Sequence, residues 1–343
     1  TSIYIIAEID RENFADKILT LNGKYNVFRK NNNLDFDLQL NDIDISLVNA
    51  FTRGVLSRIE GELGGDFLIS GSFKKPVITG NAMLNDAACK IDYLNTYYRV
   101  NPSSQNERLH HTIKLSENRI DFQDIVLVDT LNNYAVAKGV VTHNYLKDFN
   151  FNVDATLDNF LGMNMLQEES STFYGTAIAS GELKIDGPLD DIVMDINALS
   201  MPGTVIDIVL TSTSSINDNF IVFVQKDVEQ DVVKTIVPTN KKDKKFTFNL
   251  NADVTQDAKV FIHLPSNMGT IEAKGTGDIR LGLASDQLSL YGDYVIDDGT
   301  FTFNFQNLVR RNFDIKQGGT ITWTGSAADA DINVTGSYRA KSS

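Results

Sequence analysis

The chain has 343 residues, a formal net charge of −14, 42% hydrophobic residues, 23 glycines, six prolines and one cysteine. The acidic balance excludes sequence-independent binding to nucleic acid, whose affinity comes from Lys and Arg on phosphates. The apolar content with scarce proline excludes a low-complexity chain, and with no apolar run of about 18 residues a transmembrane helix within these residues is excluded as well.

Taken in chain order, the sequence opens directly in an apolar strand, Ile3 to Ile6, and reads as a part excised from something longer. Asn22-Gly23 marks a turn, and Leu34, Phe36, Leu38 and Leu40 alternate with polar residues. From Asp44 to Ile59, the apolar Leu47, Val48, Phe51, Val55, Leu56 and Ile59 share a helical stripe that Gly61 stops, so a helix is predicted there. A glycine-punctuated unit follows: Gly61 to Gly71, then Lys75 to Gly80. Residues 101–107 read as a loop. Phe149 to Leu157 alternates cleanly, and a second short helix is predicted over 157–166, where Leu161 and Met163 to Leu166 break the alternation. The glycine unit returns at Gly175, Gly181 and Gly187, followed by Ile192 to Ile196.

After a Pro202-Gly203 turn, further alternation covers Val205 to Val209, Phe246 to Leu250 and Val260 to Leu264, with residues 239–245 read as a loop. A third unit spans Gly269 to Gly282 and Leu288 to Gly292. Asp297-Asp298-Gly299 and Gly318-Gly319 read as turns around the strands at Phe301 to Phe305, Phe313 to Ile315, Ile321 to Trp323 and Ile332 to Val334. Each glycine unit reads as strand, tight break, strand, tight break, strand. Recurrence at about a hundred residues implies one continuous repetitive body, with units at about 1–60, 61–174, 175–268 and 269–343.

Period two places each strand's apolar residues on one face, with Thr, Asn, Asp, Ser and Lys on the other. At about 12 residues per strand and turn, roughly 25 strands stack to about 120 Å. Leaving their apolar face in water costs on the order of 100 kcal/mol. That face must fold on itself, meet a partner or hold an apolar ligand. Its candidate lining is Leu183, Ile185, Ile206, Ile208, Phe246, Phe248, Ile262, Leu264, Ile279, Leu281, Phe301, Phe303, Phe305, Ile321, Trp323, Ile332 and Val334.

Signals for chemistry are weak. His110, His111, His143 and His263 have no metal-ligand spacing, and His263 falls at an outward position. No nucleophile elbow, P-loop or helix-opening G-x-G-x-x-G occurs, and Gly275-Thr-Gly277 lies inside a strand pattern. Asp190-Asp191 and Asp297-Asp298 read as turn residues before calcium ligands or acid–base pairs. Lys241 to Lys245 reads as a solvated loop, with an anionic headgroup or acidic partner as the sharper alternative. Arg310-Arg311 reads as loop, and Cys89 as a small buried hydrophobe. No catalytic constellation or cofactor site emerges.

The last fifty residues carry the most specific pattern: Leu290-Tyr-Gly292, Gly299-Thr-Phe-Thr-Phe, Asn312-Phe-Asp-Ile-Lys-Gln-Gly-Gly319-Thr-Ile-Thr-Trp-Thr-Gly325 and Asp329 to Tyr338. This resembles the C-terminal region of the TamB family, a component of the translocation and assembly module of diderm bacteria. Phe173-Tyr-Gly175 with Gly181 and Gly187, and Ala137 to His143, extend the resemblance over residues 50–340. The resemblance implies an all-β fold: a long curled sheet, or β-taco, with an apolar interior and, from the pattern above, one or two short helices. It further implies a periplasmic segment of a protein anchored in the inner membrane elsewhere, with phospholipid and an Omp85-type partner (TamA-like or a lipoprotein relative) meeting the C-terminal side. The implied roles are phospholipid transport and outer-membrane protein assembly. A structural or adhesive β-solenoid without ligand is the alternative reading.

Overall fold

The computed structural model describes residues 2–10, 17–29, 31–50, 56–92, 94–100, 111–170, 172–210, 245–284, 287–305, 309–326 and 328–338. These form a single sheet of 21 strands. In chain order the strands are β1 (Ser2–Asp10), β2 (Lys17–Asn26), β3 (Leu34–Asp44), β4 (Leu56–Ser72), β5 (Lys75–Ile91), β6 (Thr96–Val100), β7 (His111–Ser116), β8 (Arg119–Val128), β9 (Tyr134–Thr142), β10 (Asn150–Met165), β11 (Phe173–Pro188), β12 (Asp191–Ser200), β13 (Val205–Val209), β14 (Lys245–Val254), β15 (Lys259–His263), β16 (Gly269–Ala284), β17 (Gln287–Phe305), β18 (Val309–Ile315), β19 (Gly319–Ser326), β20 (Asp331–Asn333) and β21 (Gly336–Ser337).

The pairing is an antiparallel meander in which some rungs are one long strand and others two short ones end to end. β5 pairs with both β6 and β7, β11 with both β12 and β13, and β17 with both β18 and β19. The ladders β12–β14 and β13–β15 are parallel. Because short strands share rungs, the described residues stack about 16 rungs deep, or roughly 75 Å at about 4.8 Å per rung. Among the described residues this is fewer strands and a shorter stack than the expected total of about 25 strands over about 120 Å, because the strands run up to 19 residues, longer than the spacing rule assumes.

Among the described residues neither predicted helix forms. Residues 45–50 make a 3₁₀ turn, residues 51–55 lie outside the described residues, and Leu56 already belongs to β4. The Asp44 carboxylate accepts from the Ser46 amide at 2.8 Å, a local bond that favours a turn over a helix interior. The Asn49 amide then both donates to the Ile59 carbonyl and accepts from the Ile59 amide, standing in for a neighbouring strand. At 157–166 the chain stays extended in β10. The alternation breaks because the register along β11 shifts between Leu157 and Phe160 and again between Leu161 and Met163. Extra residues at these bulges, not a helix, produce the irregular apolar spacing.

The glycine units are corrected in the same way. Gly175, Gly181 and Gly187 all lie inside β11, Asn22-Gly23 lies inside β2, and Asp297-Asp298-Gly299 lies inside β17. Gly292 shows why glycine is needed. Its φ is +131°, and an added Cβ would press into the Asp278 carbonyl oxygen of the paired strand. Aromatic side chains lie opposite many of these glycines: Phe36 faces Gly23, Phe67 faces Gly80, Phe122 faces Gly139 and Trp323 faces Gly292. An interior glycine removes the side chain that would hold the aromatic off the sheet. The Pro202-Gly203 and Gly318 turns occur as expected. Arg310 and Arg311, expected in a loop, sit in β18, and Lys245 opens β14, while 239–244 and 101–107 lie outside the described residues.

The sheet curls. A flat sheet leaves each face open, yet Ile262 and Ile321, on β15 and β19, are fully sealed in one cluster built from strands of this sheet and the residues that directly adjoin them. A second closure lies at the far end of β10, which bends back onto β6. Tyr98 stacks on Phe160 with centroids 4.7 Å apart, and its hydroxyl donates to the Leu161 carbonyl at 2.8 Å. The buried Asp129 carboxylate fastens this flap, accepting from the amides of Leu131, Asn133 and Leu161 at 2.7, 2.9 and 2.8 Å.

Two outcomes follow. Gly292→Ala is expected to lose about 3 kcal/mol in urea unfolding, whereas Gly162→Ala, where a Cβ meets only the Ala177 carbonyl at 3.8 Å, stays within about 0.5 kcal/mol of wild type. Asp129→Ala leaves the buried Leu161 amide without its acceptor. It should cost about 3 kcal/mol and speed hydrogen exchange at Leu161 before any change at Ile262.

Candidate functional site

Register carries one apolar face from β10 to the last rungs. One row reads Ala155, Leu183, Ile196, Leu250, Leu281 and Leu290. A second reads Val153, Ile185, Met194, Phe248 and Leu283. A third interleaves small and large residues: Leu157, Gly181, Ala198, Ala252, Ile279, Gly292 and Trp323. In the other half of the sheet the row is Ile208, Ile262, Ile271, Phe301 and Phe313, with Ile206 one step along on β13.

The sequence-derived lining residues therefore fall on this one face, in two settings. Ile262, Ile321 and Trp323 are sealed in a packed cluster with Ile271, Tyr294 and Ile296. Ile208, Leu264, Ile279, Leu281, Phe301, Ile332 and Val334 pack against that cluster and are only partly buried. Leu183, Ile185, Ile206, Phe248 and Phe303 are half-buried, and Phe246 is 43% exposed. Phe305 ends β17, and its side chain lies outside the described residues. The face is closed in one half and open to solvent in the other.

The charge pattern is one-sided. Among the described residues from β10 to β20, Arg311, paired with Phe303, is the one charged residue in register on this face. Its guanidinium lies 6.0 Å from the Tyr338 ring, at the rim of the Phe301, Phe303 and Phe313 aromatic group. The opposite face carries the carboxylates and amides. Asn249 donates to Asp195 and Asn251 to Asn197, each at 2.8 Å across the parallel β12–β14 ladder.

On that polar face His263 sits in a shallow depression lined also by Asp207, Thr270, Glu272, Thr302 and Arg310. The His263 Nε2 is 2.6 Å from the Asp207 carboxylate, and Nδ1 is 3.2 Å from the Thr270 hydroxyl. The Tyr174 ring stacks on the imidazole, and burial of the tyrosine, with Asp207 beside it, raises the pKa of the Tyr174 hydroxyl. These contacts tie β11, β13, β15 and β16 together. They join a histidine to a carboxylate on one ring nitrogen and a threonine hydroxyl on the other, cross-linking the strands on the polar face. His143 is buried in the turn after β9 and accepts from the Leu146 amide. Among the described residues no group of three or more His, Cys, Asp or Glu is placed to hold a metal. Burial pushes the Cys89 thiol up, away from a reactive thiolate.

Sequence reasoning missed Tyr294, Ile296, Ile271 and Met194 on the apolar face. The signal was present. Even-numbered apolar residues run to Ile296, odd-numbered ones start at Phe301, and Asp297-Asp298-Gly299 lies between. Lys274 pairs with Asp298 and Gly275 with Ile296, so Asp297 is a bulge that switches parity and keeps both sets on one face. The Gln256 and Gln317 amides donate to its carboxylate.

Comparison with protein families matches residues 123–343 to the TamB C-terminal domain. Residues 50–122, part of the wider resemblance, lie outside that match. No curated protein and no solved structure matches the chain. The family match covers more than half the chain and ends in the same glycine and aromatic pattern that builds the closed half of the sheet: the chain belongs to the TamB family.

Proposed function

We propose that the apolar face holds phospholipid acyl chains and that the chain is a conduit segment between the inner and outer membranes. TamB-family membership implies a periplasmic, envelope-associated protein that works with TamA-type partners. In this reading the parent protein is anchored in the inner membrane outside these residues, and an Omp85-type partner meets the C-terminal side. Assembly of outer-membrane proteins is a linked role. No bond is made or broken.

The observation that carries the proposal is the half-open, charge-free apolar face of Leu183, Ile185, Met194, Phe246, Phe248 and Leu283. Burying methylenes is worth about 0.8 kcal/mol each, so a chain of about 15 gains on the order of 10 kcal/mol if fully covered. A face without charge lets that chain slide, because no position imposes a desolvation step. The sealed cluster around Ile262 is the feature that favours the β-solenoid alternative. The solvent-open half beside it argues for a ligand.

Period two sets the test. A photo-crosslinking side chain at Phe248 should capture phospholipid in cells, and one at neighbouring Thr247 should not; equal labelling at both would remove the trough. Leu281→Asp in the full-length protein should fold yet weaken the outer-membrane barrier, since an ionised carboxylate on an acyl path costs several kcal/mol. Wild-type detergent sensitivity in that strain would mean that lipid does not pass this face.

A further inference from the structure

The sealed cluster contains two polar groups with no partner. The Tyr294 hydroxyl and the Trp323 indole N–H are buried among Ile262, Ile271, Ile296 and Ile321, and neither makes a hydrogen bond. The residues are 2% and 3% exposed. An unmet buried donor in a native fold calls for an explanation, because it loses its water without a replacement. Both groups belong to one place. Gly292 pairs with Trp323 and Tyr294 with Ile321, so Tyr294 and Trp323 are diagonal neighbours on one face, with Cα atoms about 7 Å apart. Gly292 has no side chain to separate them. The charge-free rows of the open half lead to this point through Leu281, Leu290 and Ile279.

Resting on the reading of the face as an acyl-chain trough, we propose that Tyr294 and Trp323 form a hydrogen-bonding stop for the ester carbonyls of a glycerolipid. The trough would thus recognise the polar belt just below a headgroup as well as the hydrocarbon. Both groups are donors of the right kind. Indole nitrogen only donates. Burial, with Asp297 nearby, pushes the Tyr294 hydroxyl well above the usual phenol range, so it keeps its proton at neutral pH. An ester carbonyl offers two acceptor lone pairs at the junction between the apolar chains and the headgroup. Hydrocarbon and ether-linked chains offer no such group at that depth.

Access runs through the weakest rung. β20 contacts β19 through three residue pairs, and β21 contacts β18 through two. Ala330, Ile332 and Val334 on this strap pack against the cluster. Strands this short open at a small fraction of the global unfolding free energy. Lifting the strap uncovers the cluster while the long β16–β17 ladder stays paired.

Trp323 is the single tryptophan of the chain, so its fluorescence reports on this point alone. The probe is phosphatidylethanolamine with brominated acyl chains, in an ester-linked form and in a diether form that lacks both carbonyls. Ester lipid should quench Trp323 at about fivefold lower concentration than ether lipid, the worth of about one net hydrogen bond. Tyr294→Phe should narrow that ratio below about twofold while native mass spectrometry still finds lipid on the protein. Equal quenching by the two lipids in wild type overturns the proposal and leaves the orphan donors to ordered water. Lipid retained with Trp323 unquenched also overturns it, confining the ligand to the open half and sparing the trough. Absence of both retained lipid and quenching removes the trough together with the stop. If Tyr294→Phe fails to fold, the wild-type ester-against-ether comparison decides alone.

Discussion

Everything in this fold depends on parity. A strand presents successive side chains to opposite faces, so one missed or extra residue turns a whole segment inside out. Over 21 hydrogen-bonded strands that error would carry apolar rows into solvent. The chain keeps its rows aligned with local devices rather than uniform strands. Asp297 is an inserted residue that restores alignment between Ile296 and Phe301, and paired irregularities in β10 do the same between Leu157 and Met163. In each case the extra residue falls beside a long partner strand, β16 or β11, whose own continuous run fixes the register on either side.

Curling is the second requirement, and glycine opposite aromatic is how it is met. Where Gly292 faces Trp323 or Gly80 faces Phe67, one strand contributes bulk and its neighbour contributes space. The ring faces a position with no side chain of its own, so the two strands fit without a clash between opposed side chains. The same device sets where the trough closes. Glycines at 269, 275, 277, 292 and 319 let β15 to β19 approach closely enough for Ile262, Tyr294, Ile321 and Trp323 to seal. The open half has Leu183, Met194, Phe248 and Leu283 in successive strands and stays half-exposed.

The strands were legible in the sequence because alternation of Phe301, Phe303, Ile321 and Trp323 with Thr and Asn is itself the period of the pleat. The all-β class and the shared face of the lining residues follow from that alone. The helices at 44–59 and 157–166 were misread because a stripe at helical spacing also arises from a strand with bulges, and a single sequence does not show which partner the backbone has. For Leu56 to Ile59 the deciding partners are β5 and Asn49, the one arriving from sequence-distant residues. Glycine was misread for a related reason. Its usual meaning is a turn, and its meaning inside β11 or β17 depends on what stands across the ladder. Burial depth was not legible at all: Ile321 and Phe246 read alike as sequence, yet one is sealed and the other exposed.

Among the described residues the first and last strands of the sheet differ in length and pattern. β1 is nine residues long, paired on one side by β2, and carries Tyr4 at 79% and Ile6 at 70% exposure. Its exposed apolar residues fall on both faces of the strand, unlike the one-sided rows of β10 to β20. At the other end, β20 and β21 offer three and two residues, divided by a break, and Asp331 and Asn333 flank the single inward Ile332. An incoming strand finds little continuous backbone there and meets carboxylates first. Short, interrupted, acidic edges resist pairing. At the β20–β21 rung the exposed side chains Arg311 and Tyr338, stacked on each other, therefore present more than the backbone does.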